Sequence, residues 1–318
     1  NGLCEIHKNL GEDYLGVVCK QFPRYSEYYG TIKESGIGLA CEEAARIILS
    51  ENRPFSMETA ACDEQYEPSS EYDSSFALQI FAAREAVFKI LAEESLSIHE
   101  KLIVILDMGS KIQQCINTDE YDNIKSVVND YLKEGITHTL EETRNLSDSG
   151  QFENISLQQG IRQILYPYEE MEVLNPEWDV ILKDIIDSLF EQMNDEEYNI
   201  LNEEFGTYMV SRAYEYRQLL EYLVFRYFAK SIYDYDFLGK CQMLVTNFFV
   251  IRQMDIIRWL DNHREYSFKD RMDVVHIFSR QVEYSEDNIE NLYEDFIFDD
   301  IFKTDSLIAI LWIDSENI

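Results

Sequence analysis

Residues 219–228, LLEYLVFRYF, and residues 238–260, LGKCQMLVTNFFVIRQMDIIRWL, decide the fold class. In the first stretch Leu219, Leu220, Leu223, Val224, Tyr227 and Phe228 recur at the spacing of a wide helical face. The turn-like Tyr233-Asp234-Tyr235-Asp236 follows. A second helix then carries Leu244, Val245, Phe248, Ile251, Ile256, Trp259 and Leu260. Two neighbouring helices this apolar predict the centre of a helical core. The run from Leu244 to Ile251 is broken by Thr246 and Asn247, far short of the roughly 20 apolar residues that span a bilayer. No membrane segment and no secretory signal is expected, which favours a cytoplasmic protein.

Helical signals continue outward from this pair. Phe76, Ile80, Ala83, Val87 and Leu91 form one buried stripe. Ser97 and Glu100 make a capping box for a helix through Leu102, Ile105 and Ile112. Asn175-Pro176-Glu177 joins a cap, a first-turn proline and an acid at the positive end of the dipole, opening a helix through Ile181, Ile185 and Leu189. Asp195 to Lys230 reads as one helix or two, with Gly206 as the break. Ser267 caps a helix to about Val282, and Ser285 caps the next. Only 5 Pro and 12 Gly occur in 318 residues, too few for the turns of a sheet-rich fold. The expectation is an all-α, multi-helix globular body with no internal repeat.

Residues 1–66 stand apart. They hold four of the six cysteines, six of the glycines and two of the prolines, and predict loops with short helices, the clearest from Leu39 to Leu49. The polar stretch from Cys62 to Ser75 reads as a linker, so 1–66 is expected to be a cysteine-containing region and 67–318 an α-helical domain. The first residue is Asn, and Cys4 follows almost at once, so an upstream segment is expected. A disulfide framework is not.

Charge excludes one class of function. With 61 Asp+Glu against 27 Lys+Arg the formal net charge is −34, a field that repels phosphate backbones. It draws in cations, a lysine-bearing protein among them, though solvated acidic helix faces would give the same total. P-loop, GxGxxG, GxSxG and HExxH patterns are missing, and five scattered histidines do not make a multi-His metal site.

Two blocks of sequence carry a resemblance. The first runs from Gly2-Leu3-Cys4-Glu5-Ile6-His7 through Leu10 to Leu15 and Cys19-Lys20-Gln21-Phe22-Pro23-Arg24 to Gly36-Ile37-Gly38-Leu39-Ala40-Cys41-Glu42-Glu43-Ala44-Ala45-Arg46. The second holds Tyr222 to Phe228, Leu238-Gly239-Lys240, Ile251-Arg252, Arg258-Trp259-Leu260 and Phe278 to Asn288. In this order they resemble the flagellin lysine-N-methylases, with 120–215 weakly matched. The resemblance implies methyl transfer from S-adenosylmethionine to lysine ε-amines of flagellin or another lysine-bearing protein. It also implies an iron–sulfur ([4Fe-4S]) cluster, with Cys4, Cys19 and Cys41 at matching cysteine positions. Gly16 stands where the family often has a further Cys, and three thiols do not complete a four-thiolate site.

Within the blocks, Arg24, Arg46, Arg226 and Arg280 are candidates for a cofactor carboxylate, which a guanidinium grips with two bonds. Structural ion pairs would use the same residues. Glu42, Glu43, Glu283 and Tyr284 are candidates to orient or deprotonate the amine. Cys62, Cys115 and Cys241 read as packing residues. The alternative to an enzyme is a non-catalytic acidic helical module that binds a basic partner and keeps structural or vestigial cysteines. A weaker alternative is a metal or cluster site used for redox sensing.

Overall fold

The computed structural model describes residues 4–50, 52–61, 73–148 and 155–316. In chain order the elements are α1 (Glu5–Leu10), α2 (Val17–Gln21), β1 (Arg24–Tyr29), β2 (Ile32–Ile37), α3 (Glu42–Leu49), α4 (Ser74–Ala92), α5 (Ile98–Asn117), α6 (Ile124–Asp130) and α7 (Ile136–Asp148). Then come α8 (Leu157–Glu169), α9 (Pro176–Ile185), α10 (Asp195–Met209), α11 (Ala213–Tyr227), α12 (Ser231–Asp234), α13 (Phe237–Asp261), α14 (Phe268–Val282), α15 (Glu286–Phe298) and α16 (Thr304–Glu316). The protein is mostly α-helical, as the periodicity predicts.

α13 is the axis of the body. Nearly every residue from Phe237 to Trp259 is buried, because α5, α8, α9, α11, α14, α15 and α16 all pack on it. α5 approaches closely at Gly109, where a Cβ would stand 2.5 Å from the Cys241 sulfur. Buried polar groups fix the packing. Asp314 of α16 meets His99 of α5 at 2.6 Å, accepts from Asn202 of α10 and faces Arg252 of α13 at 3.9 Å. Arg271 of α14 bonds Asp255 of α13 at 2.6 Å and Glu215 of α11 at 3.0 Å, and Tyr216 and Tyr266 also donate to Asp255.

The capping signals hold. Ser97–Glu100 and Ser267–Asp270 form capping boxes, and Asn175 and Ser285 cap α9 and α15. Gly206 does not break its helix; it is buried inside α10. The break falls at Val210–Arg212, where Arg212 turns to bond Glu215 and the Tyr266 carbonyl.

The N-terminal region holds a feature not expected from its loops and short helices: an antiparallel hairpin pairing Arg24 with Ile37 and Tyr29 with Ile32. Its two-residue loop starts at Gly30, whose φ of +60° suits glycine there. The hairpin is anchored to the body by Glu34, which receives both terminal nitrogens of Arg84 from α4, and by Tyr29, buried against Phe81 and Tyr233. α3 then packs on α11 and α14. Cys62 and most of the expected 62–75 linker lie outside the described residues. Among the described residues no helix is long and apolar enough to cross a membrane.

Candidate functional site

The two blocks of the resemblance, separated by most of the chain, meet where the end of the hairpin and the start of α3 rest on α11 and α14. Glu283, at the end of α14, is the buried centre. Its Oε2 accepts from the hydroxyls of Tyr222 at 2.8 Å and Tyr227 at 3.0 Å, and lies 3.1 Å from Arg226 Nε. Burial, then the Glu283 carboxylate, pushes both phenols far above their ordinary range, so both keep their protons and donate them to Glu283. Arg226 is stacked 4.5 Å from the Tyr25 ring, with Tyr284 on another side at 5.9 Å. The Leu39 N–H donates to Tyr222 Oη at 3.4 Å, so the chain entering α3 is held by the same group that holds Glu283. Gly38 gives this approach room: a Cβ there would stand 3.0 Å from Tyr284 Oη and 3.4 Å from Arg226 Nη1, and the two side-chain ends would have to move by a few tenths of an ångström.

Beside this node opens a cleft of about 750 Å³. α9 gives one wall through Glu177, Val180, Ile181 and Asp184. α13 contributes Ile257, Arg258 and Asp261. α14 presents Asp273, His276, Ile277 and Arg280, three to four residues apart on one helical face, and Glu42 closes the rim from the start of α3. Five carboxylates face two guanidiniums over an isoleucine floor, so a cation with an aliphatic stem meets complementary charge and apolar contact. The α9 wall is held in place by two buried amides. Gln281 accepts from the N–H groups of Leu174 and Asn175 and donates to the Glu172 carbonyl, while Asn288 bonds both backbone groups of Glu172.

The predicted residues divide. Glu42 and Arg280 line the cleft; Arg226, Glu283 and Tyr284 form the node. Glu43 and Arg46 are spent on each other as an exposed pair with bonds of 2.6 and 2.8 Å, which lowers the Glu43 carboxyl below its usual value. Arg24 is exposed on β1. Cys4 and Cys19 are exposed in the first two short helical segments, Cys41 is half-buried where α3 begins, and Cys241 is buried. Among the described residues no group of three or more His, Cys, Asp or Glu side chains is placed to hold a metal ion. The cluster that the resemblance implies therefore lacks a ligand set among those residues.

Sequence reasoning missed Arg258, His276, Asp184 and Asp273 as cleft residues and Tyr222 and Tyr227 as the donors to Glu283. The spacing of Asp273, His276, Ile277 and Arg280 was the available signal.

Residues 84–310 match the family model of the FliB lysine N-methylase C-terminal domain. The chain belongs to this family. Neither a curated protein nor a solved structure matches it. The FliB match starts inside α4 and ends inside α16, so it covers the helical body, including Arg226, Arg280, Glu283 and Tyr284. The hairpin and α3, with Glu42, lie before it.

Proposed function

We propose that this chain methylates lysine ε-amines of flagellin, using S-adenosylmethionine, in the cleft between α3, α9, α13 and α14. One observation carries the reading: Glu42 from the first block and Arg280 from the second line one acidic cleft, whose other walls belong to the matched lysine N-methylase domain. Five carboxylates draw the lysine in as its ammonium, and the isoleucine floor takes its methylene stem. The reaction needs the amine neutral. Glu42, exposed at the rim, accepts the proton directly or through a water. The cofactor supplies a methyl group on a sulfonium. The amine nitrogen forms the new N–C bond as the C–S pair returns to sulfur, leaving S-adenosylhomocysteine and a methylated ammonium. Arg280, with Arg258 beside it, binds the cofactor carboxylate. Glu283 touches no reacting atom here. It positions α3, and so Glu42, through Tyr222.

Calorimetric titration of the full chain with S-adenosylmethionine is the test. Saturable binding, weakened severalfold by Arg280→Ala, is expected. Absence of binding, together with unmodified lysines on co-expressed flagellin, would remove the reading.

A further inference from the structure

A second pocket, of about 280 Å³, borders α3 at its opposite end. Its walls are aromatic: Tyr25 from β1, Phe55 from the segment after α3, and Tyr222 and Phe225 from α11. The Phe55 ring is fixed, lying parallel to Phe88 at 4.1 Å between centroids and 5.9 Å from Phe225. Gly36 makes room for the Tyr25 ring, since a Cβ there would come within 2.6 Å of its hydroxyl.

One buried carboxylate looks onto this pocket. Glu221 is 3 % exposed, and its Oε1 accepts from Arg217 Nη1 at 2.6 Å. Burial raises its pKa, opposed by Arg217 and then by Lys101. With these two cations nearby, an ammonium or sulfonium gains little here. A neutral planar heterocycle gains more. It stacks on the rings, as bases do on aromatic side chains in nucleic-acid sites, and its amine or ribose hydroxyl donates to an acceptor with lone pairs to spare. The volume is close to the lower end of small-ligand sites, roughly 300 Å³, and suits a nucleoside rather than a peptide.

We infer that this pocket holds the adenosine half of the methyl donor, an inference that rests on the methyl-transfer reading. Ile48, on its wall, and Glu42, on the acidic cleft, stand six positions apart on α3, about 9 Å along the helix axis. Six positions also carry Glu42 about a third of a turn around the helix, so a cofactor with its nucleoside at the Ile48 end curves across α3 to bring its amino-acid end toward Glu42 and Arg280.

Calorimetry on the full chain with S-adenosylhomocysteine and adenosine tests this. Ser56→Trp fills the pocket from its exposed wall, and Phe225→Leu removes a stacking face while keeping apolar volume; thermal melts report whether each variant is folded. The expected result is that the wild type binds S-adenosylhomocysteine and adenosine and that either folded variant loses at least tenfold in affinity for both nucleosides. No nucleoside binding by the wild type, or affinities unchanged in the folded variants, would overturn the inference. The two readings separate: lysine methylation by a wild type whose nucleoside affinity ignores both variants sinks the pocket alone, whereas variant-sensitive adenosine binding without any lysine methylation sinks the methyltransferase alone.

Discussion

The Tyr222 hydroxyl donates to Glu283 Oε2 across 2.8 Å while receiving the Leu39 N–H at 3.4 Å, so one phenol ties α11 to α14 and both to the strand-to-helix connection that leads into α3. Removing that oxygen leaves a buried N–H and a buried carboxylate each short of a partner. Tyr222→Phe is expected to cost about 1–3 kcal/mol in urea unfolding. It should also speed amide exchange at Leu39 to Cys41 relative to α13.

Arg226 and Glu283 form a largely buried pair, with Tyr25 of the hairpin stacked on the guanidinium. Arg226→Ala strands the Glu283 charge and is expected to destabilise the fold by roughly 3–5 kcal/mol. The double variant Arg226→Met with Glu283→Leu should recover a large part of that loss, because it removes both charges while keeping apolar volume. A double variant as unstable as Arg226→Ala would show that shape, not charge, is what the node supplies.

Asp314 gives the acid limb of stability its sign. Burial opposes ionisation there, but Arg252 and then His99 outweigh it and lower the carboxyl from 3.8 to about 2. A folded pKa below the unfolded one means the contribution is present above about pH 4 and is lost as pH falls toward 2. The shift corresponds to roughly 2.5 kcal/mol. Unfolding free energy measured between pH 5 and pH 2 should fall by about that amount more in the wild type than in Asp314→Asn.

Gly109 sits where α5 crosses the central helix, with room for a hydrogen and no more. Gly109→Ala adds helix propensity, worth up to about 1 kcal/mol, but drives a methyl to 2.5 Å from the Cys241 sulfur. Overpacking of this kind costs about 1–3 kcal/mol, so a net loss of stability is expected. Cys241→Ala in the same chain should relieve it.

The helical body was legible because its signals are local. The apolar faces of α11 and α13, the capping residues Ser97, Asn175, Ser267 and Ser285, and the scarcity of glycine and proline each act within one element. The hairpin was not read because its alternation is carried by half-polar tyrosines, with Glu34 turned to meet Arg84, a partner 50 positions away. The break after α10 fell at Val210–Arg212 and not at Gly206 because Arg212 finds Tyr266 across the fold, a tertiary bond no window of sequence contains. The site was half legible for the same reason. Glu42, Arg280 and Glu283 lie in recognisable blocks, whereas Asp184, Asp261 and His276 become neighbours only when α9, α13 and α14 are packed together.

The acidic cleft predicts a substrate effect with a definite direction. Asp184→Lys and Asp261→Lys should each raise the KM for a lysine-bearing protein and flatten its dependence on salt, leaving the melting temperature close to that of the wild type.

Mass spectrometry of flagellin co-expressed with the full chain reads whether a lysine amine is methylated in this cleft with Glu42 as its proton acceptor. Methyl increments on flagellin lysines are expected with the wild type, and roughly 100-fold slower accumulation with a folded Glu42→Gln variant. Unmodified flagellin beside the wild type, or the same increments beside Glu42→Gln, would contradict it.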